Sequence, residues 1–428
     1  MSLRKGIHAW VLILLVSAPL ASRADVVLEW NDIMLTTLVG QPPANENRIP
    51  AITQLAVFEA VNAVEGDYQP YLGSIKAPRG ASAEAAAVAA AHATLSHYVP
   101  TRAAELDLAR AKSLASIPDG PAKREGIEVG KRAAKAMIKL RENDGSAPDE
   151  FYMPKSKKPG AWQLTAGCPT GGGVLLQWRN VTPFGVKSSR QFRAEPPPSL
   201  KSRKYAVAYN EVRRVGSIHS TDRPQDRADV ARFYAAVLGI RTWNPVATQV
   251  AAAQGRSLSE NARALALLNM ALSDALVTVF ETKYHEPFWR PETAIPAGDT
   301  DGNDATPADA NYAPFIPTPC HPSYASAHAS GSYAAQTILE RIYGRNDHRI
   351  LLSSPVVPDV TLEYRSFKAI TADIDDARVY GGIHFRFDQE AGARQGCRVG
   401  RYIYWHNLRP VYGRDRDARP GEDCLQEN

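Results

Sequence analysis

Three segments in the second half of the chain concentrate lysine, arginine, serine and histidine, the side chains that bind oxyanions and transfer protons. The first segment runs from Lys283 to Arg290 and Pro291. Pro287 interrupts any helix between the two cations, so the chain can turn and direct both toward one point. Converging cations would bind a phosphate-like anion through charge-assisted hydrogen bonds. Taken alone, the segment equally fits a basic helix C-terminus, which the helix dipole favours.

The second segment, Pro319 to Gly331, passes from a proline-rich loop into a run of small residues. This change predicts a helix start, with Ser326 as its cap. The free backbone N–H groups of a helix start attract anions. His328 would lie in the first turn, where it could give or take a proton near neutral pH. The alternative is a capped helix with a structural histidine.

The third segment runs from Arg378 to Asp388. His384 and Asp388 are four residues apart and would share one face of a helix. The carboxylate could then fix the tautomer of the histidine ring, as it does for histidines that act as ligands or nucleophiles. Gly381 and Gly382 are poor helix formers, which suits a place where the backbone bends or approaches another group. The alternative is a helix ion pair with a buried histidine.

Together, and in this order, the segments resemble the motifs of the superfamily of vanadium-dependent haloperoxidases and type 2 phosphatidic-acid phosphatases. Those motifs read Lys-x6-Arg-Pro, Pro-Ser-Gly-His and Ser-Arg-x5-His-x3-Asp. The chain keeps the spacing of the first and third motifs. It departs from the second, where Ala325 and Ala327 replace proline and glycine, and from the third, where Ala377 precedes the arginine. Alanine retains the backbone N–H that glycine would donate, so anion binding can survive.

The resemblance implies a cofactor, vanadate (or phosphate in its place), and a role for each matched residue. His384 would bind the vanadium atom, or attack phosphorus in a phosphatase, with Asp388 behind it. His328 would be the general acid or base, and Lys283 would also polarise bound peroxide. The groups that would bind the oxygens of the anion are Lys283, Arg290, Arg378, Ser326 and the N–H of Ala327.

The leading hypothesis is a vanadium-dependent haloperoxidase that uses hydrogen peroxide to oxidise a halide and modifies a small organic acceptor. His321 lies seven residues before His328, where the resembling bromoperoxidases carry histidine, and it favours a peroxidase that uses bromide. The alternative for this residue is packing beside Pro322. The alternative function is a soluble exported acid phosphatase with His384 as nucleophile. A third hypothesis, a phosphate- or vanadate-binding protein without catalysis, would not need His328.

The elements that must position these groups are predicted to be helices joined by long loops, giving an all-α fold of two packed four-helix-type bundles. We divide the chain into an N-terminal helical region, residues 25–200, and a catalytic helical region, residues 201–428. The predicted helices are Ile49 to Val64, Ala81 to Tyr98, Arg102 to Ala115, Arg124 to Arg141, Ser202 to Val215, Pro224 to Leu238, Ser257 to Tyr284, Ser326 to Tyr343 and Asp375 to Trp405.

Residues 1–24 are typical of a secretory signal peptide, with Arg4 and Lys5 before a short apolar run and small residues before Asp25. Its cleavage would leave a periplasmic or secreted protein. No later segment is expected to cross a bilayer. Removal of residues 1–24 reduces the basic count from 50 to 47 against 45 acidic residues, a net charge of only +2. Because no basic block alternates with aromatic residues, a nucleic-acid surface is excluded. Oligomeric state stays open.

Four cysteines in an exported chain permit two disulfides in three connectivities, or free thiols. Cys397 and Cys424 are one plausible pair. The run from Asp299 to Asn303 resembles the start of a calcium loop but lacks its glycine and final acidic residue, so we expect a turn. The histidines expected to be structural are His92, His97, His285, His348 and His406.

Overall fold

The structure is a computed structural model that describes residues 25–237 and 239–412. Within these ranges the chain forms thirteen helices and one two-stranded antiparallel hairpin, so the predicted all-α class is confirmed. The helices are α1 (Val26–Thr37), α2 (Asn45–Glu65), α3 (Ala83–Tyr98), α4 (Ala103–Ala115), α5 (Pro121–Leu140), α6 (Arg203–Val215), α7 (Gln225–Ala236), α8 (Gly239–Gln254), α9 (Leu258–His285), α10 (Pro291–Ala294), α11 (Ala327–Tyr343), α12 (Phe367–Tyr380) and α13 (Arg386–His406). The strands are β1 (Ile350–Ser354) and β2 (Val357–Tyr364).

The central element is α9, which contacts α2 of the N-terminal half and α11 and α13 of the C-terminal half. It begins at the predicted capping box, in which Ser257 and Glu260 satisfy each other's free backbone N–H groups. We expected no segment after the predicted signal peptide to be long and apolar enough to cross a bilayer, and this expectation is wrong. Among the described residues α9 meets both criteria, and almost all of its apolar window is buried against other helices. Burial on all sides explains why it is apolar all round.

Two bundles of helices pack around α9. In the N-terminal bundle, α2, α3 and α5 are in mutual contact, and in the C-terminal bundle α11 packs against α12 and α13. A single hydrophobic core includes residues from both halves, such as Ile52, Ala87, Leu268 and Ile338. The proposed boundary at residue 200 therefore crosses a continuous core, and the division into two regions remains a prediction.

A glycine seam brings α11 and α13 unusually close. Gly392, Gly396 and Gly400 repeat every fourth residue, so they lie on one face of α13. A Cβ added at any of them would overlap a backbone carbonyl of the segment from Ser326 to Ala334. The absence of side chains is what allows the two backbones to approach, and it places the start of α11 against the start of α13.

The predicted helix from Asp375 to Trp405 is wrong as one element, because the chain breaks between α12 and α13. Gly382 adopts a φ of +80°, which glycine tolerates and other residues disfavour. A side chain here would also overlap the carbonyl of Gly216. His384 lies in this turn, between the two helices. Helices α1, α8 and α10, the first half of α12 and the hairpin were not predicted.

The long loop between α10 and α11 is held by its own side chains. Asp301 accepts hydrogen bonds from the N–H of Asn303 (2.8 Å) and the hydroxyl of Thr306 (2.9 and 2.8 Å). Asp299 accepts one from the N–H of Ala308 (3.1 Å). The carboxylates thus stabilise turns, as predicted for this calcium-like run.

Cys168 and Cys320 form a disulfide that joins two loops across 152 residues of sequence. It is one of the pairings that the cysteine count left open. Cys397 is also disulfide-bonded. Its expected partner, Cys424, lies outside the described residues, as does the predicted signal peptide.

Candidate oxyanion-binding site

Three cationic side chains from different elements are buried in the C-terminal half. Lys283 lies in the last turn of α9, Arg290 immediately precedes α10, and Arg378 lies in the last turn of α12. Their exposed fractions are 0%, 0% and 3%. Lysine and arginine are almost never buried to this extent without a partner of opposite charge, so the cluster requires an explanation.

Within the described ranges, Lys283 is held by backbone carbonyls and by no carboxylate. Its Nζ donates to the carbonyl oxygens of Pro322 and Ser323, both at 2.8 Å. An ammonium group has three N–H donors. One donor is therefore left for a ligand.

Arg290 connects two histidines. Its Nη1 donates to the Ile383 carbonyl (2.8 Å) and to Nε2 of His384 (2.9 Å). Its Nε donates to the carbonyl of His321 (3.0 Å), and its Nη2 donates to Nδ1 of the same residue (3.0 Å). Because a guanidinium can only donate, His384 Nε2 and His321 Nδ1 must both be unprotonated acceptors. The 3.2 Å approach of His321 Nδ1 to the Pro322 carbonyl then carries no proton.

The other ring nitrogen of His384 contacts a buried carboxylate. Nδ1 donates to Oδ2 of Asp388 at 2.9 Å, and the same oxygen accepts from the hydroxyl of Ser323 (2.6 Å) and the N–H of Phe385 (3.1 Å). The predicted contact is present, but not on one helix: His384 lies in the turn before α13 and Asp388 in its first turn. Asp388 thereby fixes the Nδ1–H tautomer and leaves the lone pair of Nε2 directed toward the cations.

Arg378 donates through Nη1 to the Tyr234 carbonyl at 3.1 Å, whereas its Nε is buried without a partner. Ser326 is the N-cap of α11, as predicted, and its hydroxyl accepts from the N–H of Ala329 (3.3 Å). Ala327 and His328 are the first two residues of that helix, and both are half-buried. An unsatisfied buried N–H of Arg378 is the kind of atom that a bound anion would complete.

Burial and mutual repulsion act together on every cationic group in the cluster. Burial, followed by the charge of Arg290, lowers the pKa of Lys283 well below its ordinary value. Burial lowers the pKa of Arg290 to about 10. Burial and then Arg290 lower the pKa of Arg378 to about 9. The three side chains therefore hold more positive charge than the surrounding protein balances.

The three histidines lie in the same positive field. Burial lowers the pKa of His384, with Arg290 as the next cause, and that of His328, with Arg378 as the next cause, well below the ordinary histidine value. Burial and then Lys283 lower the pKa of His321 in the same direction. All three rings are consequently neutral near pH 7. A neutral ring can act as a ligand or a proton acceptor.

Asp388 is the carboxylate that is hydrogen-bonded to His384. Burial raises its pKa to about 6, against the lowering effects of Ser323, Lys283 and Arg290. Three cations with one carboxylate fit a tetrahedral oxyanion of more than one negative charge, such as vanadate or phosphate. The same residues do not fit a divalent metal, and the described part of the chain holds no group of three or more histidine, cysteine or acidic side chains for one.

The structure brings Lys283, Arg290, His321, His384 and Asp388 together by direct or shared contacts, and Arg378 and His328 by their electrostatic interactions. Sequence reasoning missed Ser323, whose hydroxyl contacts Asp388 and whose carbonyl holds Lys283. It also missed the carbonyls of Pro322 and Tyr234. The only sequence signal for Ser323 was its place in the second segment.

Residues 263–413 match the family model described as the VCPO second helical-bundle domain. This match covers all three motifs and agrees with the resemblance to vanadium-dependent haloperoxidases that they predicted. The comparison with curated proteins finds no match in sequence.

Solved structures share the fold over nearly the whole length. A bacterial vanadium-dependent iodoperoxidase superposes with a TM-score of 0.75 at 22% identity, covering 91% of this chain and 97% of that chain. A bacterial vanadium-dependent chloroperoxidase in its apo form gives 0.69 at 17% identity, covering 88% and 97%. At these identities the likeness establishes the helical fold.

Proposed function

We propose that the protein is a vanadium-dependent haloperoxidase that oxidises halide with hydrogen peroxide at a vanadate held by His384. The observation that carries this proposal is the buried set of Lys283, Arg290 and Arg378, of which Arg290 donates to the unprotonated Nε2 of His384, while Asp388 accepts from the other ring nitrogen. An oxyanion with two negative charges would balance the cluster. The family of the C-terminal bundle and the peroxidase neighbours support the choice among oxyanion enzymes.

Vanadate, when bound, supplies a Lewis-acidic centre that activates hydrogen peroxide toward a nucleophilic halide. The net reaction converts hydrogen peroxide, halide and a proton into hypohalous acid and water. His384 provides the ligand atom Nε2, and Asp388 keeps the ring proton on Nδ1 so that this lone pair stays available. Arg290 donates to Nε2 of His384, and with the anion bound it would instead donate this hydrogen bond to an oxygen of the anion.

The remaining groups stabilise charge and move protons. Lys283 presents its third N–H to the anion, because the other two are fixed by the Pro322 and Ser323 carbonyls. Such preorganised donors stabilise developing charge without reorganisation. His328, kept neutral by burial and by Arg378, accepts the proton that hydrogen peroxide releases.

We extend the proposal to bromide as the halide. His321 occupies the position at which the bromoperoxidases that this chain resembles carry histidine. Its ring packs edge-on against Phe280, with centroids 5.1 Å apart, and accepts from Arg290 through Nδ1. The neutral ring then carries its proton on Nε2, which is a donor suited to a halide or to peroxide. We further propose that the protein works in the periplasm or outside the cell, after removal of residues 1–24.

The test is bromination of a phenolic dye by the purified protein with hydrogen peroxide and bromide, before and after addition of orthovanadate. We expect activity that depends on vanadate and is lost in His384→Ala. His97→Ala, on the exposed surface of α3, is the matched histidine control and should retain activity. Iodide and chloride in parallel reactions measure halide choice.

Two outcomes would overturn the proposal. Absence of bromination together with hydrolysis of p-nitrophenyl phosphate that vanadate inhibits would make the protein a phosphatase with His384 as nucleophile. Absence of both activities, with vanadate still bound, would indicate a binding protein without catalysis.

A further inference from the structure

The backbone that positions the cations belongs to a loop without regular secondary structure. Three consecutive backbone carbonyls accept hydrogen bonds from the cations. The carbonyl of His321 accepts from Arg290 (3.0 Å), and the carbonyls of Pro322 and Ser323 accept from Lys283 (2.8 Å each). Carbonyls in a helix or a sheet are fixed by a ladder of hydrogen bonds. These carbonyls have no such ladder, so their positions depend on the tethers of the loop.

The covalent tether lies directly before the first of these carbonyls. Cys320 is bonded to Cys168 of the 165–174 loop, with a Cα–Cα distance of 5.1 Å. The two loops are also joined by a hydrogen bond from the N–H of Val174 to the Cys320 carbonyl (2.9 Å). Val174 in turn accepts a hydrogen bond from the hydroxyl of Tyr284.

These contacts form a closed circuit through the site. Tyr284 follows Lys283 on α9, so the circuit runs from Lys283 to the Ser323 carbonyl, back along the loop to Cys320, across to Val174, and to α9 again. The disulfide closes a second path between the same two loops. The position of Lys283 relative to its carbonyls is therefore determined by loops that the disulfide holds in register.

We propose that Cys168 and Cys320 are positioning residues of the oxyanion site, and that their disulfide sets its affinity for a tetrahedral dianion. The proposal rests on the proposed function in that it takes the cation cluster to be an anion site. Without the disulfide, the 320–323 segment keeps its contacts but samples more conformations. A site whose donors must first be ordered binds more weakly than one held ready.

The experiment measures the dissociation constants of orthovanadate and of inorganic phosphate by isothermal titration calorimetry. The test variant is Cys168→Ser with Cys320→Ser, and a second variant, Cys168→Ala with Cys320→Val, keeps the buried volume more apolar. Cys397→Ser, which opens a disulfide on α13 and leaves the one between Cys168 and Cys320 intact, is the control. Circular dichroism and cooperative unfolding establish that each protein is folded.

We expect both anions to bind the test variants at least tenfold more weakly than the wild-type protein, and Cys397→Ser to stay within twofold. Wild-type affinity in a folded variant that lacks the 168–320 disulfide would overturn the inference. An equal loss in Cys397→Ser would overturn it too, because the effect would then be general destabilisation. Failure of the wild-type protein to bind either anion would instead refute the proposed function.

Discussion

Replacement of Ser323 by alanine should shift the pH dependence of anion binding without abolishing it. The Ser323 hydroxyl donates to Oδ2 of Asp388 at 2.6 Å, in a site from which water is excluded. A hydrogen bond to a charged group contributes about 1.5–3 kcal/mol, and 1.36 kcal/mol corresponds to one pKa unit, so its loss should raise the pKa of Asp388 by roughly 1–2 units. The wild-type value is about 6.

The consequence for the ligand atom follows from the tautomer of His384. Ionised Asp388 holds the ring proton on Nδ1 and leaves Nε2 free. Protonated Asp388 instead donates to Nδ1, which moves the ring proton to Nε2 and removes the lone pair. Binding is therefore complete above the pKa of Asp388 and is lost as pH falls through it. In Ser323→Ala that loss should begin at a higher pH.

The assay is the dissociation constant of orthovanadate measured from about pH 5.5 to 9 for both proteins. With the pKa raised by 1–2 units, the ionised fraction at about pH 6.5 falls roughly 3- to 25-fold, and the affinity should fall with it. Near pH 9 the two proteins should bind equally. The control is Ser330→Ala, in the first turn of α11. It removes a buried hydroxyl that donates to the Ala275 carbonyl and should leave the pH dependence of binding unchanged. Coincident midpoints for the wild-type protein and Ser323→Ala would refute the reasoning.

Three further predictions concern charge and packing. Arg378→Met should abolish the rise in Tm that orthovanadate gives the wild-type protein, because a ligand stabilises the native state only as far as it binds; an undiminished rise would exclude Arg378 from the site. Burial raises the pKa of Asp274 to about 6, above its unfolded value of about 3.9, so the native state binds the extra proton and stability falls as pH rises between these values, by roughly 3 kcal/mol. The free energy of unfolding of Asp274→Asn, measured with urea, should increase relative to that of the wild-type protein by this amount as pH rises between the two pKa values. A difference that does not change with pH would contradict this prediction. Gly396→Ala should lower the free energy of unfolding by roughly 1–3 kcal/mol or more, since its Cβ would overlap the Ser330 carbonyl, and an unchanged Tm would show that the seam can open.

The parts of the fold that were predictable are those whose signal is local. Continuous helical periodicity and a capping box predicted α9 within one residue at each end, and alanine content predicted α3 within two residues at its start and with the correct end. Gly381 and Gly382 indicated a possible bend before α13, but the helix was still predicted to run through them, because the approach of Gly382 to Gly216, far away in sequence, has no local signal. The hairpin was missed because its two strands are short and apolar and polar residues alternate only weakly along them, although one face of each strand is buried.

The candidate site also has a part that sequence could predict and a part that it could not. The spacing of Lys283 and Arg290 and of Arg378 and His384 pointed to one anion site, and the structure places these side chains together. What sequence could not show is how the cations are held, because a backbone carbonyl such as that of Pro322 has no residue signature. Ser323 was missed for a related reason: a serine in a loop has many uses, and its contact with Asp388 exists only in three dimensions.

The hydrogen bond from Arg290 to Nε2 of His384 affects which inorganic ions can bind at the site. A buried imidazole backed by a carboxylate is elsewhere a ready ligand for zinc or copper. Here the lone pair of His384 Nε2 already accepts a hydrogen bond from the guanidinium of Arg290. The positive charges of Lys283 and Arg378 would in addition repel any divalent cation. An anion meets no such barrier, because it can take the guanidinium N–H for itself while it gains the ring nitrogen. This arrangement would allow the protein to fold where transition metals are abundant and to keep His384 for the proposed oxyanion.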